Sequence, residues 1–270
     1  MTAQQENVTR AASALGSVTL VGGGPGVDDL LTLAGAKALA EADVVLYDRL
    51  APHEHLAVLA PAATLINVGK TPGHHPVSQR AIEALMVEHA LTGARVVRLK
   101  GGDSYVFGRG SEEVLACHAA GITVSVVPGV TSAVAVPAAA GIPLTHREVS
   151  RMFTVVSGHA PLEENQLLHL AALGSTIVVL MGIGTLPALS QGLVRNGASP
   201  RLPIALIERG FSPLQRTTLS TLGSVVTDAA VADVRSPAVI VIGEVVRYAW
   251  EADAGAIDLM ARAARLAEPE

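Results

Sequence analysis

Residues able to bind or polarise a ligand gather where short apolar runs end. Asp48-Arg49-Leu50 follows the run 43–47, Lys70 closes Gly69-Lys70 after 64–68, and a glycine-dense loop opens after 95–99. That loop, Lys100-Gly101-Gly102-Asp103 through Gly108-Arg109-Gly110 to Glu112-Glu113, carries more charge than a turn requires. Its four glycines permit positive φ and a close approach of a ligand to the backbone. Between 49 and 151 there are nine Lys or Arg against seven Asp or Glu, with seven of the nine histidines, a balance that suits an anionic small molecule. Plainer readings stand beside these. Glu112 and Glu113 could simply favour a helix dipole, and Asp48-Arg49 could be a surface ion pair or a cap for the stretch after Pro52.

The elements that must position these residues alternate. Strands are expected at 18–21, 43–47, 64–68, 95–99 and 122–127, with helices over 31–40, 78–91 and 111–120 and another running to about 140. Strand and helix in turn predict a mostly parallel sheet covered by helices. A second unit begins near Met152, with strands at 153–157, 175–181, 202–207, 216–220 and 238–242 and helices near 162–172, 185–195 and 222–232. Its last strands are expected to be antiparallel. The fold class is thus α/β in two domains: a tail over 1–16, one domain at 17–144, a second at 145–248, and a partly helical tail over 249–270.

Several functions are disfavoured. Gly22-Gly23-Gly24-Pro25-Gly26 imitates a dinucleotide fingerprint, but G-x-G-x-x-G would need glycine at Val27 or Asp29, and Asp28 and Asp29, expected in the first helical turn, would repel a pyrophosphate. Gly69-Lys70-Thr71 imitates a phosphate loop, yet Thr64 stands where glycine is required. Net charge of −5 and a pI near 6.0 argue against nucleic acid as a partner. No apolar run approaches the ~20 residues of a membrane span, and the polar start lacks the form of a targeting segment, so a cytoplasmic location is expected. Cys117 is the single cysteine and is read as a small buried apolar residue. The pairs His53/His55 and His74/His75 lack further ligands, so no metal is expected.

Six pieces in order, Gly22-Gly23-Gly24-Pro25-Gly26, Tyr47-Asp48-Arg49-Leu50, Val68-Gly69-Lys70, Gly101-Gly102-Asp103 with Val106-Phe107-Gly108-Arg109-Gly110, Pro128-Gly129-Val130-Thr131-Ser132 and Thr145-His146-Arg147, resemble the uroporphyrinogen-III C-methyltransferases, a family of tetrapyrrole methylases. The resemblance covers about 18–248. It implies a homodimer that binds S-adenosylmethionine between two α/β domains and methylates uroporphyrinogen III at C2 and then C7, yielding precorrin-2 and S-adenosyl-L-homocysteine. Sirohaem or cobalamin synthesis would take the product, through a downstream precorrin-2 processing enzyme. With no dehydrogenase and ferrochelatase domain in the sequence, the chain is expected to stop at precorrin-2.

By the same resemblance, Asp48 is the proton acceptor and Lys70 the proton donor, with Arg109 also catalytic. Arg49, Arg109, Glu112 and Arg147 would meet the substrate, whose eight carboxylates suit guanidinium forks. Pro25, Gly101, Gly102, Asp103, Val106, Thr131, Ser132, Met181, Gly210 and Ala238 would hold the methyl donor. Ser104, Gly23, Ser111 and Glu148 depart from the family pattern, which has proline, alanine, glycine and glycine there. Glu148 is expected to point to solvent. Another acceptor on the same fold and a non-catalytic tetrapyrrole binder are the alternatives.

Overall fold

The computed structural model describes residues 15–69 and 77–249, in two compact units. Lys70 and the pair His74/His75 lie outside the described residues, as do 1–14 and 250–270 of the two expected tails.

The first unit comprises 15–23 with Leu31–Gly129. Its strands β1 (Ser17–Gly22), β2 (Val44–Tyr47), β3 (Thr64–Asn67), β4 (Arg95–Lys100) and β5 (Thr123–Val127) form one parallel sheet in the order β3-β2-β4-β1-β5. Helices α1 (Leu33–Ala40), α2 (Leu56–Leu59), α3 (Gln79–Leu91) and α4 (Gly110–Ala119) cover it. Thr32 and Ser78 cap α1 and α3 by accepting from the amides of Gly35 and Ala81. Alternation along the strands divides the core. Val18, Leu20, Leu46 and Val96 pack with Met86 of α3 and Cys117 of α4, while Val21, Val45, Val97 and Leu99 pack with Leu39 of α1 and Leu56 of α2. Cys117 is fully buried and its thiol is pushed up to about 11 by desolvation, in keeping with an inert apolar residue.

The second unit comprises Gly24–Leu30 and 130–249. Helix α5 (Ser132–Ala139) precedes β6 (Phe153–Ser157), α6 (Glu164–Leu173), β7 (Thr176–Leu180), α7 (Leu186–Arg195), β8 (Pro203–Glu208), β9 (Arg216–Thr221), α8 (Val225–Val231) and β10 (Ala238–Ile242). The sheet order is β6-β7-β10-β8-β9. β6 and β7 are parallel and the other pairs antiparallel, as the second half of the sequence suggested.

Two sequence readings need correction. Asp28 and Asp29 do not sit in a helical first turn: they belong to a separate 3-10 turn over Asp28–Leu30, because Thr32 is extended and caps a helix that starts at Leu33. The stretch 130–144 groups with the second unit, because Ala133, Val136, Ala140 and Ile142 share a core with Val178, Ala205, Ile207 and Val239. The division therefore falls after Gly129, earlier than 144. Among the described residues no helix is long and apolar enough to cross a membrane, and no group of three or more His, Cys, Asp and Glu could hold a metal ion.

Candidate functional site

In the first unit the strand ends bring the expected loops together. Tyr47 pairs with Leu99 and Gly22 with Lys100, so Asp48, Gly23 and Gly101 all emerge at the carboxyl edge of the sheet. After β2 the chain moves outward to β3, whereas after β4 it crosses to β5 on the far side. Loops that diverge from adjacent strands are where open parallel sheets leave a crevice for ligands. Asp48 and the Gly101-Gly102-Asp103 loop flank that point.

The glycines there serve the packing of backbone on backbone. A Cβ on Gly22 would lie 2.5 Å from the Gly129 nitrogen and 2.8 Å from the Gly102 oxygen, and one on Gly101 would lie 2.8 Å from the Leu50 oxygen. Asp103 ties the same loops: its Oδ2 accepts from the Gly129 amide at 3.0 Å and its Oδ1 from the Tyr105 amide at 2.8 Å. Val106 follows in the turn, half-buried. Gly23, where the family pattern has alanine, is closed in by Pro52, whose Cδ would lie 2.5 Å from an added Cβ. Ser104 is fully buried and its hydroxyl has no hydrogen-bond partner among the described residues.

Arg109 and Glu112 are exposed and paired with each other. The guanidinium donates from Nε to Oε1 at 2.9 Å and from Nη2 to Oε2 at 2.6 Å, and this fork holds the Glu112 carboxyl below its ordinary range. Arg109 is also in the left-handed region at φ 58°, as is Phe107 at 53°. Non-glycine residues held there store strain, which is common at binding loops. Arg49 is exposed beside this edge.

Behind the loop lies a group of charges that the sequence reading did not assemble. Arg98 is 2% exposed in the middle of β4. Its Nη2 donates to Asp48 Oδ1 at 2.6 Å, its Nε to Glu113 Oε1 at 2.9 Å, and its Nη1 to the Leu99 carbonyl at 3.1 Å. Glu113 is fully buried, and Lys100, nearly so, donates to it at 3.0 Å. Desolvation, then the nearby Arg98 charge, pulls the Lys100 ammonium below its ordinary range, against the opposing pull of Glu113 and Asp48. Glu113 and Lys100 therefore do not belong to a solvated loop. The available signal was Arg98 itself: a strand buried on both faces reads as an apolar run, so an arginine inside one demands a buried partner.

The second unit gathers its share of the expected residues at one end of its sheet. Met181 follows β7, Ala238 opens the antiparallel β10 beside it, and Gly210 follows β8, where the Arg209 amide donates to the Pro237 carbonyl at 2.9 Å. Helix α5 abuts this end, since a Cβ on Gly210 would lie 2.7 Å from Val136. Thr131 caps α5 through its hydroxyl, with Ser132 next. Met181 and Arg209 are left-handed, at φ 59° and 47°, and Met181 is half-exposed. Pro25 lies in the turn between Gly24 and Gly26, both at positive φ. Arg147 and Glu148 are exposed, as Glu148 was expected to be. His146 stacks on Tyr248 with centroids 4.9 Å apart.

The residues assigned to the methyl donor suit its chemistry. They are small, apolar or hydroxyl-bearing, the one charged member is an aspartate, and none is a cation that would repel a sulfonium.

Comparison with known proteins fits this arrangement. The family model described as "Tetrapyrrole (Corrin/Porphyrin) Methylases" matches residues 17–226. A uroporphyrinogen-III C-methyltransferase of Methanocaldococcus jannaschii is 48% identical, over 86% of this chain and 97% of that one. A siroheme synthase of Tolumonas auensis is 46% identical over 87% of this chain, which spans only 50% of that protein's length. The crystal structure of a Thermus thermophilus uroporphyrin-III C-methyl transferase complexed with S-adenyl homocysteine matches at a TM-score of 0.73 and 44% identity, covering 86% of this chain and 99% of that one.

Proposed function

The chain belongs to the tetrapyrrole methylase family, and from that premise we propose that it methylates uroporphyrinogen III, at C2 and then C7, to give precorrin-2. The observation that carries the reading is Asp48 at the diverging loops of β2 and β4, its carboxylate oriented by a hydrogen bond from a buried arginine. S-adenosylmethionine supplies, when bound, a methyl group on a positively charged sulfur that a carbon nucleophile can take by in-line displacement. The protein's part is to align and to manage a proton.

Asp48 accepts the proton lost from the methylated macrocycle, in the manner of a general base, and Lys70 serves as proton donor. Arg49, Arg109 and Arg147 bind substrate carboxylates. Glu112 holds the Arg109 fork by two hydrogen bonds until a substrate carboxylate takes its place. Gly101, Gly102, Asp103, Val106, Pro25, Thr131, Ser132, Met181, Gly210 and Ala238 are the residues assigned to the methyl donor. The active species is a cytoplasmic homodimer, and a precorrin-2 processing enzyme consumes its product.

The test is anaerobic incubation of the protein with uroporphyrinogen III and labelled S-adenosylmethionine, counting methyl groups on the macrocycle by mass. Two methyls are expected. Asp48→Ala should lower turnover about 10²- to 10⁴-fold while S-adenosylhomocysteine still binds. No methyl transfer by the unaltered protein would sink the substrate assignment, and light scattering that gave a monomer would remove the dimer.

A further inference from the structure

Three of the four charges in the first unit's ionic group are almost wholly out of water, and the fourth is the side chain to which the reaction is assigned. Arg98 and Glu113 are 2% and 0% exposed and Lys100 is 5%, whereas Asp48 retains 30%. Two carboxylates and two cations make the group neutral. Buried ion groups are poor stabilisers, because desolvation offsets the attraction and well-packed apolar side chains usually serve a core as well or better. Stability alone therefore gives little reason for this one.

Its geometry gives a better reason. Residues 96, 98 and 100 share one face of β4, and 46 and 48 share the same face at β2, so the pleat aims Arg98 along the sheet toward Asp48. A guanidinium is a planar fork, and here each edge is engaged: Nε meets Glu113, Nη1 a backbone carbonyl, and Nη2 Asp48 Oδ1. Glu113 is in turn held by Lys100, so the fork cannot rotate without breaking three partners. Among the described residues, Arg98 makes the one side-chain hydrogen bond to the Asp48 carboxylate, and it falls on Oδ1.

We propose that Arg98, braced by Glu113, is a positioning residue that locks the orientation of the Asp48 carboxylate so that its second oxygen faces the proton to be removed. The inference rests on the methyltransferase reading above and deepens it. Lys100 acts one step further back, by neutralising Glu113 without displacing Arg98.

The experiment is a kinetic cycle on the full-length protein, read by labelled methyl incorporation in single turnover so that slow variants are resolved. Arg98→Lys keeps the charge but cannot bridge both carboxylates. Its rate constant should fall about 10- to 100-fold, with KM for uroporphyrinogen III and S-adenosylhomocysteine affinity each within about twofold of wild type. Glu113→Gln keeps the volume and should lose a smaller factor, about 3- to 10-fold. In an Asp48→Asn background both changes should become nearly silent, because residues acting through a shared group are non-additive. Arg195→Lys, at an exposed pair with Glu164 in the second unit, should leave the rate unchanged.

Full activity of Arg98→Lys, or the same loss with and without Asp48, would overturn the proposal. If Arg98→Lys fails to fold, Glu113→Gln takes its place in the cycle: a loss that vanishes without Asp48 supports the proposal, and full activity or an undiminished loss overturns it. Absence of methyl transfer in the unaltered protein is a separate result, seen before any variant is made, and it removes the methyltransferase reading together with what rests on it.

Discussion

Each unit buries a glutamate, Glu113 on α4 and Glu208 on β8, and the two are used differently. Glu208, at the end of β8, is 4% exposed, and both its oxygens are occupied: Oε2 by Arg216, its cross-strand neighbour on β9, and Oε1 by the Arg235 amide. Arg216 is half in water, and among the described residues its other hydrogen bond goes from Nη2 to the Asp233 backbone carbonyl, two residues before Arg235, at 3.1 Å. Glu113 instead begins a chain of charges that ends at Asp48, a carboxylate at the sheet edge whose Oδ2 takes no side-chain hydrogen bond among the described residues. Burial of a charge does not itself mark function. What separates the two is whether the network closes on itself, as a clamp on a hairpin, or terminates at a group still able to react.

That contrast can be broken by removing the arginine from each. Arg98→Met leaves Glu113 buried with one cation instead of two and should destabilise the protein by about 3–5 kcal/mol in urea unfolding. Arg216→Ala removes a half-exposed partner while the Arg235 amide keeps hold of Glu208, so the cost should be about 1–2 kcal/mol after solvent screening. Equal losses would show that the two glutamates are equivalent after all.

The smallest effect belongs to an ion pair wholly at the surface. Arg95 holds Asp43 through its guanidinium and its amide, which brings the carboxyl from 3.8 down to about 2. A depressed folded-state value contributes stability that is present above about 4 and is lost as pH falls toward 2. In Asp43→Asn the unfolding midpoint should decline less over that interval than in the parent protein, while the two coincide in shape near neutrality. An unchanged acid limb would show that the pair is too well solvated to matter.

Much of the first sheet was legible in the sequence. Apolar runs such as 95–99 and helical apolar periods such as 78–91 announced the strands and the longer helices in order, and the glycine clusters marked the strand ends. The residues behind the site were not legible as a site. Arg98 and Glu113 lie fifteen positions apart, and Asp48 lies fifty from Arg98. No local period links them, because their meeting depends on β4 inserting between β2 and β1. The acids 28–29 were misplaced for a related reason: a periodic apolar pattern does not say at which residue the first turn closes, whereas the Thr32 cap does. Likewise α5 was grouped with the strand before it, although its apolar face, with Ala133 and Val136, is satisfied by the second sheet.

By itself the sequence determined the alternation that makes two α/β units, the order of the six motifs, and with them the family and its chemistry, since these depend on residue types and spacings along the chain. The tertiary structure alone decided how charge is shared among those motifs. Strand order placed Arg98 between two carboxylates, and helix packing removed Glu113 and Lys100 from water. Electrostatic energy depends on distance and on exclusion of solvent, and neither is a property of sequence separation.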